Sequence, residues 1–118
     1  MKIKNIRHTG IVTDNLSKSL KFYRDLLGFK IKRRMVEKGS TTDALSGFKK
    51  TKVETVKLMS PDKNSMIELL NYKSPTSKKK YYKVSRVGIS HMAFSVYDLK
   101  KTYKKLIKKK IYFKCEPK

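Results

Sequence analysis

Residues 6–27 read Ile6-Arg7-His8-Thr9-Gly10-Ile11-Val12-Thr13-Asp14-Asn15-Leu16-Ser17-Lys18-Ser19-Leu20-Lys21-Phe22-Tyr23-Arg24-Asp25-Leu26-Leu27. Residues 89–107 read Ile89-Ser90-His91-Met92-Ala93-Phe94-Ser95-Val96-Tyr97-Asp98-Leu99-Lys100-Lys101-Thr102-Tyr103-Lys104-Lys105-Leu106-Ile107. With His8 laid on His91, Ile6 falls on Ile89, Gly10 on Ala93 and Leu16 on Leu99. An Asx residue, Asn15 or Asp98, precedes each of those leucines. Each copy reads as a strand carrying a histidine, then a cap, then an amphipathic helix. Agreement over about 20 positions argues for a duplicated module.

Working outward from the first copy, a strand is expected over about residues 7–13, with Ile6, His8, Gly10 and Val12 on one face. Asp14 or Asn15 can cap the next helix. Leu16, Leu20, Tyr23 and Leu27 recur at helical spacing, and Gly28 ends the run. Residues 29–36 suit a strand, and residues 37–51 are polar and glycine-containing and read as a mobile loop. Val53 to Met59 is β-branched and reads as a strand. Pro61-Asp62-Lys63-Asn64 is a turn, and Met66 to Asn71 is the next strand. The first module is therefore β-α-β-β-β over residues 1–72. Residues 73–87 read as a linker. Residues 88–118 then begin a second module: a strand over 88–96, a helix over about 98–109 with Leu99, Tyr103 and Leu106 inward, and the start of a strand at 111–113. Measured against the first module, the second is incomplete. The chain is expected to be a single α+β domain, with a curved mixed sheet built from paired modules.

Composition narrows the classes. The chain has 118 residues, 38% of them hydrophobic and 10% aromatic, which is enough for a small globular core. No run of about 18 apolar residues is present, and no apolar segment follows the basic start as in a signal peptide. Cys115 is the only cysteine, so a reducing, cytoplasmic setting is expected. The net charge of +22 suggests an anionic partner. However, the cations are mostly lysines spread along the whole chain, and forked recognition of bases and phosphates leans on arginine. The densest stretch, Lys100 to Lys110, shares its helix with an apolar face. A nucleic-acid-binding role is therefore the weakest of the readings, and any DNA affinity is expected to be sequence-blind and steeply salt-dependent. No membrane role is expected.

The two histidines, His8 and His91, are the only ones in the chain and stand at matched repeat positions. A lone histidine in a strand is more often a satisfied core residue than a ligand. Two at equivalent positions weaken that explanation, because a duplicated module brings equivalent strands together and imidazole is a common metal ligand. Glu68 is a second anomaly, a carboxylate inside Met66-Ile67-Glu68-Leu69-Leu70. It can sit on a half-wet strand face. If buried, it needs a partner, and a metal ion is one. Cys115 has no neighbouring histidine motif and reads as an ordinary thiol. Glu116 falls in a loop-like stretch, Cys115-Glu116-Pro117, and is not counted as a ligand.

With these residues in view, the chain resembles the vicinal oxygen chelate superfamily, which includes glyoxalase I, methylmalonyl-CoA epimerase, extradiol dioxygenases and fosfomycin- and bleomycin-resistance proteins. The resemblance is carried by Arg7-His8-Thr9-Gly10-Ile11-Val12, by Ser19-Leu20-Lys21-Phe22-Tyr23-Arg24-Asp25-Leu26-Leu27-Gly28-Phe29 and by Lys57-Leu58-Met59-Ser60-Pro61-Asp62. It continues in Ile67-Glu68-Leu69-Leu70-Asn71-Tyr72 and Ser90-His91-Met92-Ala93-Phe94-Ser95-Val96-Tyr97-Asp98-Leu99. It implies paired β-α-β-β-β modules around a divalent metal (zinc, nickel, cobalt, iron or manganese). It also places His8, Glu68 and His91 at ligand positions, with a fourth ligand not found. A carboxylate at position 68 resembles the His-Glu-His-Glu set of bacterial glyoxalase I more than the dioxygenase set.

The implied activity is that of a lyase or isomerase resembling lactoylglutathione lyase or an epimerase. It would move a proton beside a carbonyl of a small substrate, with Glu68 as ligand and catalytic group. Two alternatives stand beside it: a metal-free module of the same fold that binds a small molecule or antibiotic, and the basic nucleic-acid binder. Because the second module is incomplete, impaired activity is expected. A homodimer or strand-exchanged oligomer that completes the sheet, or a truncated gene, would account for it.

Overall fold

Four strands form one mixed sheet: β1 (Thr9–Val12), β2 (Lys30–Lys38), β3 (Lys52–Met59) and β4 (Met66–Ser74), in the order β1-β4-β3-β2. The computed structural model describes residues 1–77 and 80–118, in two units, Met1–Lys80 and Tyr81–Lys118. The sheet lies in the first. β1 runs parallel to β4, while β3 is antiparallel to both β4 and β2. The β3–β4 hairpin turns at Pro61–Asn64. There the Asp62 carboxylate accepts from the Asn64 amide, and the Ser60 amide donates to the Ser65 carbonyl at 2.8 Å. Strand and turn residues are thus placed as their β-branched and Pro-Asp-Asn composition dictates.

The two faces of the sheet differ. Ile67 and Leu69 on β4 and Val56 and Leu58 on β3 are buried together, and α1 (Leu16–Leu20) packs on β4 with Leu16 and Leu20 buried. The Asn15 carboxamide caps α1 by accepting from the Lys18 amide at 2.9 Å. Beyond Leu20 the helix widens into a π-turn over Lys21–Leu26, where the Leu27 amide donates to the Phe22 carbonyl and the Phe29 amide to the Tyr23 carbonyl. Gly28 then takes a positive φ of 80°, which lets the chain reverse and bury Phe29. The opposite face carries Met66, Glu68, Leu70 and Tyr72 of β4 and Lys57 and Met59 of β3, all half-buried.

Several expectations need correction. Residues 37–51 are not a mere loop: they hold α2 (Ser40–Ser46), a helix of seven residues. Its polar composition hid a tie that holds the segment. The Asp43 carboxylate accepts from the Lys50 amide at 2.9 Å and the Thr51 amide at 2.7 Å. Those backbone bonds, Thr51 first, hold the Asp43 carboxyl below its usual range. A folded value below the unfolded one means the contribution is present above the unfolded value, about pH 4, and is lost as pH falls through the folded one. Asp43→Ala should raise amide exchange at Lys50 and Thr51 several-fold at neutral pH, and wild-type protection there should fall below about pH 4. Unchanged exchange in the variant would contradict this.

In the second unit, residues 88–96 form no strand among the described residues, contrary to expectation. The alternating pattern is present, but strand structure requires a ladder of backbone bonds, and residues 88–96 make none among the described residues. Residues 111–113 likewise form no strand. The helix α3 (Leu99–Lys108) does form, capped by the Asp98 carboxylate accepting from the Lys101 amide at 2.8 Å. Tyr103 and Leu106 are half-buried, and the Tyr103 ring meets Phe113 edge-on at 4.9 Å. Leu99, expected inward, is exposed: it is the first residue of the helix and lacks a turn before it to pack against. Cys115 is exposed. Lys78 and Lys79, inside the expected linker, lie outside the described residues.

Candidate functional site

His8 immediately precedes β1, and Glu68 stands on β4 directly opposite Gly10 in the parallel ladder. Alternation puts His8 and Gly10 on one face, the same face as Glu68, and Gly10 contributes no side chain between them. The result is a close pair, with His8 Nε2 2.9 Å from Glu68 Oε2. The other oxygen, Oε1, lies 3.6 Å from Lys57 Nζ, because Lys57 is the exact cross-strand partner of Glu68 in the β3–β4 ladder. The carboxylate side chain is only 14% exposed, so burial is compensated by two nitrogen partners. His8 Nδ1 is buried and has no hydrogen-bond partner among the described residues. Leaving such an atom unpaired costs roughly 1–3 kcal/mol, so the ring has capacity for one further partner.

Two sequence-expected site residues are thus brought together. The third, His91, belongs to the second unit. It is exposed, and its Nδ1 lies 2.6 Å from Ser90 Oγ. No group of three or more His, Cys, Asp or Glu side chains suited to a metal occurs among the described residues. The donor chemistry of the first unit nevertheless suits a divalent ion. His8 and Glu68 supply an imidazole nitrogen and a carboxylate oxygen, two donor types that divalent ions take, and they meet each other directly at 2.9 Å.

Sequence reasoning missed Lys57 and Arg33. Arg33 pairs with Lys57 across β2 and β3, so Gly10, Glu68, Lys57 and Arg33 form one row across all four strands. Further along the same face, Val12, Tyr72, Phe48, Pro75, Thr76 and Ser77 line an open cleft of about 360 Å³. Its walls are mainly apolar, and Phe48 comes from the segment that follows α2.

Comparison with known proteins gives these features a family. The model of the Glyoxalase/Bleomycin resistance protein/Dioxygenase superfamily matches residues 5–118. Among solved structures, a glyoxalase family protein from Bacillus cereus superposes with a TM-score of 0.83 at 22% identity, covering 92% of this chain and 74% of that one. The protein SMU.1112c superposes with a TM-score of 0.64 at 22% identity, covering 94% of this chain and 78% of that one. At that identity the two structures speak for the fold alone. A comparison with curated proteins finds no match. The matched family model spans nearly the whole chain and includes the strand, helix and hairpin motifs described above. The chain belongs to the glyoxalase/bleomycin resistance protein/dioxygenase superfamily.

Proposed function

We propose that the protein is a divalent-metal-dependent enzyme that moves a proton beside a carbonyl of a small substrate, as a lyase or isomerase. The observation that carries this reading is the His8–Glu68 pair, an imidazole and a half-buried carboxylate brought together on one sheet face. His8 and Glu68 are the residues of the first unit that would hold the ion. A bound divalent ion supplies Lewis acidity: it polarises the substrate oxygens and stabilises the negative charge that develops as the adjacent C–H bond breaks.

The chain's own groups do the rest. Glu68 accepts the proton on a carboxylate oxygen and returns it. The half-buried sheet face around it limits competing water, and the apolar cleft beside Tyr72 and Phe48 receives an uncharged part of the substrate. The direct test is turnover. Methylglyoxal–thiol adducts and α-carbonyl thioesters are offered to protein loaded with each divalent ion in turn, and proton exchange with deuterated solvent is followed by NMR. Metal-dependent exchange that is lost in Glu68→Gln is the expected result, and exchange unaffected by Glu68→Gln would sink the assignment.

A second reading has its own observation. Lys57 already offers Glu68 a cation at 3.6 Å, so the site is charge-compensated without a metal. That favours a metal-free module that binds a small molecule by the same face. It predicts ligand binding unaffected by chelators.

A further inference from the structure

The row Gly10–Glu68–Lys57–Arg33 crosses the whole sheet on the candidate-site face, and its charges do not balance. Like charges placed directly opposite on neighbouring strands repel, yet Lys57 and Arg33 are paired in register. Among the described residues Glu68 is the one carboxylate on Lys57, and it is shared with His8. Arg33 is exposed and has no ion-pair partner among the described residues. The neighbouring Arg34 shows the contrast: it lies on the other face and is held by Glu54 at 2.7 Å and 2.9 Å. The β-bulge between Ile31 and Arg33 re-aims the strand so that Arg33 meets Lys57. Two cations side by side, at the rim of a half-buried carboxylate, would be electrostatically completed by an anion.

We propose that Lys57 and Arg33 bind an anionic group of the substrate, a carboxylate or a phosphoryl group, next to the carbon that Glu68 serves. This deepens the functional reading above and rests on it for the word substrate; the anion site itself is independent of any metal. Lys57, as the shorter reach from Glu68, would fix where the reacting carbon lies. Arg33 would supply the forked contact that planar or tetrahedral oxyanions favour.

The test uses the full chain freed of metal by chelator, at fixed physiological salt, with amide NMR shifts as readout. Pyruvate, methylphosphonate and neutral pyruvamide are titrated separately. Pyruvate or methylphosphonate should shift amides around Lys57 and Arg33, and the tighter of the two names the anion class. Lys57→Met and Arg33→Met should each weaken that binding roughly ten- to a hundredfold, the weight of a hydrogen bond to a charged group. Glu68→Gln, which releases Lys57 from its carboxylate, should strengthen it, a change that a merely structural role for Lys57 would not produce. Lys18→Met on α1, which packs on the opposite face of the sheet, removes one equal charge and should leave it unchanged. The proposal is overturned if Lys18→Met weakens binding as much as Lys57→Met, if pyruvamide binds as tightly as pyruvate, or if neither anion binds. Failure of metal binding leaves these readouts intact, so the two claims fail separately.

Discussion

Leu69→Ala is expected to destabilise the first unit by about 2–5 kcal/mol, a shift of the melting temperature of roughly 10–25 °C. Leu69 is 0% exposed and stands on β4, one of the two interior strands, opposite Ile11 on β1 and Val56 on β3. Its loss removes transfer energy and leaves a cavity under α1, where β1, β3 and β4 are all fixed by their ladders and cannot close in. Val36→Ala on the edge strand β2, 55% exposed, should cost under about 0.5 kcal/mol and serves as the control. Urea titration of both variants checks this. Equal losses would mean that the core does not lie between α1 and β4.

The second large effect concerns metal. His8→Ala and Glu68→Gln should each lower affinity for a divalent ion by more than about a hundredfold, since even a hydrogen-bond partner of a ligand is worth 10–100-fold. Both side chains lie on a sheet face rather than in the core, with the His8 side chain 32% exposed, so the fold should survive. Competition against a chromophoric chelator measures the change, with circular dichroism as the check on folding. Wild-type affinity in either variant would remove that residue from the ligand set.

Much of this architecture was legible in the sequence because its signals are local. Asn15 and Asp98 announce helix starts through side-chain geometry that needs no tertiary partner; of the candidates Asp14 and Asn15 it is Asn15 that caps α1, and Asp98 caps α3. Pro61-Asp62-Lys63-Asn64 announces the hairpin. His8 and Glu68 stood out as polar residues in apolar strands, and the sheet brings them within 2.9 Å. What stayed hidden was non-local. Lys57 reads as one lysine among many until the hairpin register is known. Met59 pairs with Met66, so counting outward two residues on each strand puts Lys57 on Glu68. Arg33 required the further knowledge of a bulge. The α2 helix depends on Asp43 reaching amides seven and eight residues away, beyond any helical period. The alternation at residues 88–96 states a preference for extended backbone, but strand formation needs a second chain segment that periodicity does not supply.

The most direct test of the central claim, that His8 and Glu68 hold one divalent ion, is X-ray absorption on protein loaded with zinc and compared with its His8→Ala and Glu68→Gln variants. The account predicts stoichiometric metal in the wild type with a nitrogen and oxygen shell at about 2.0–2.2 Å and no sulfur. The outer-shell scattering of an imidazole should weaken in His8→Ala. A wild-type protein that retains no metal, or a shell that is identical in all three proteins, would contradict it.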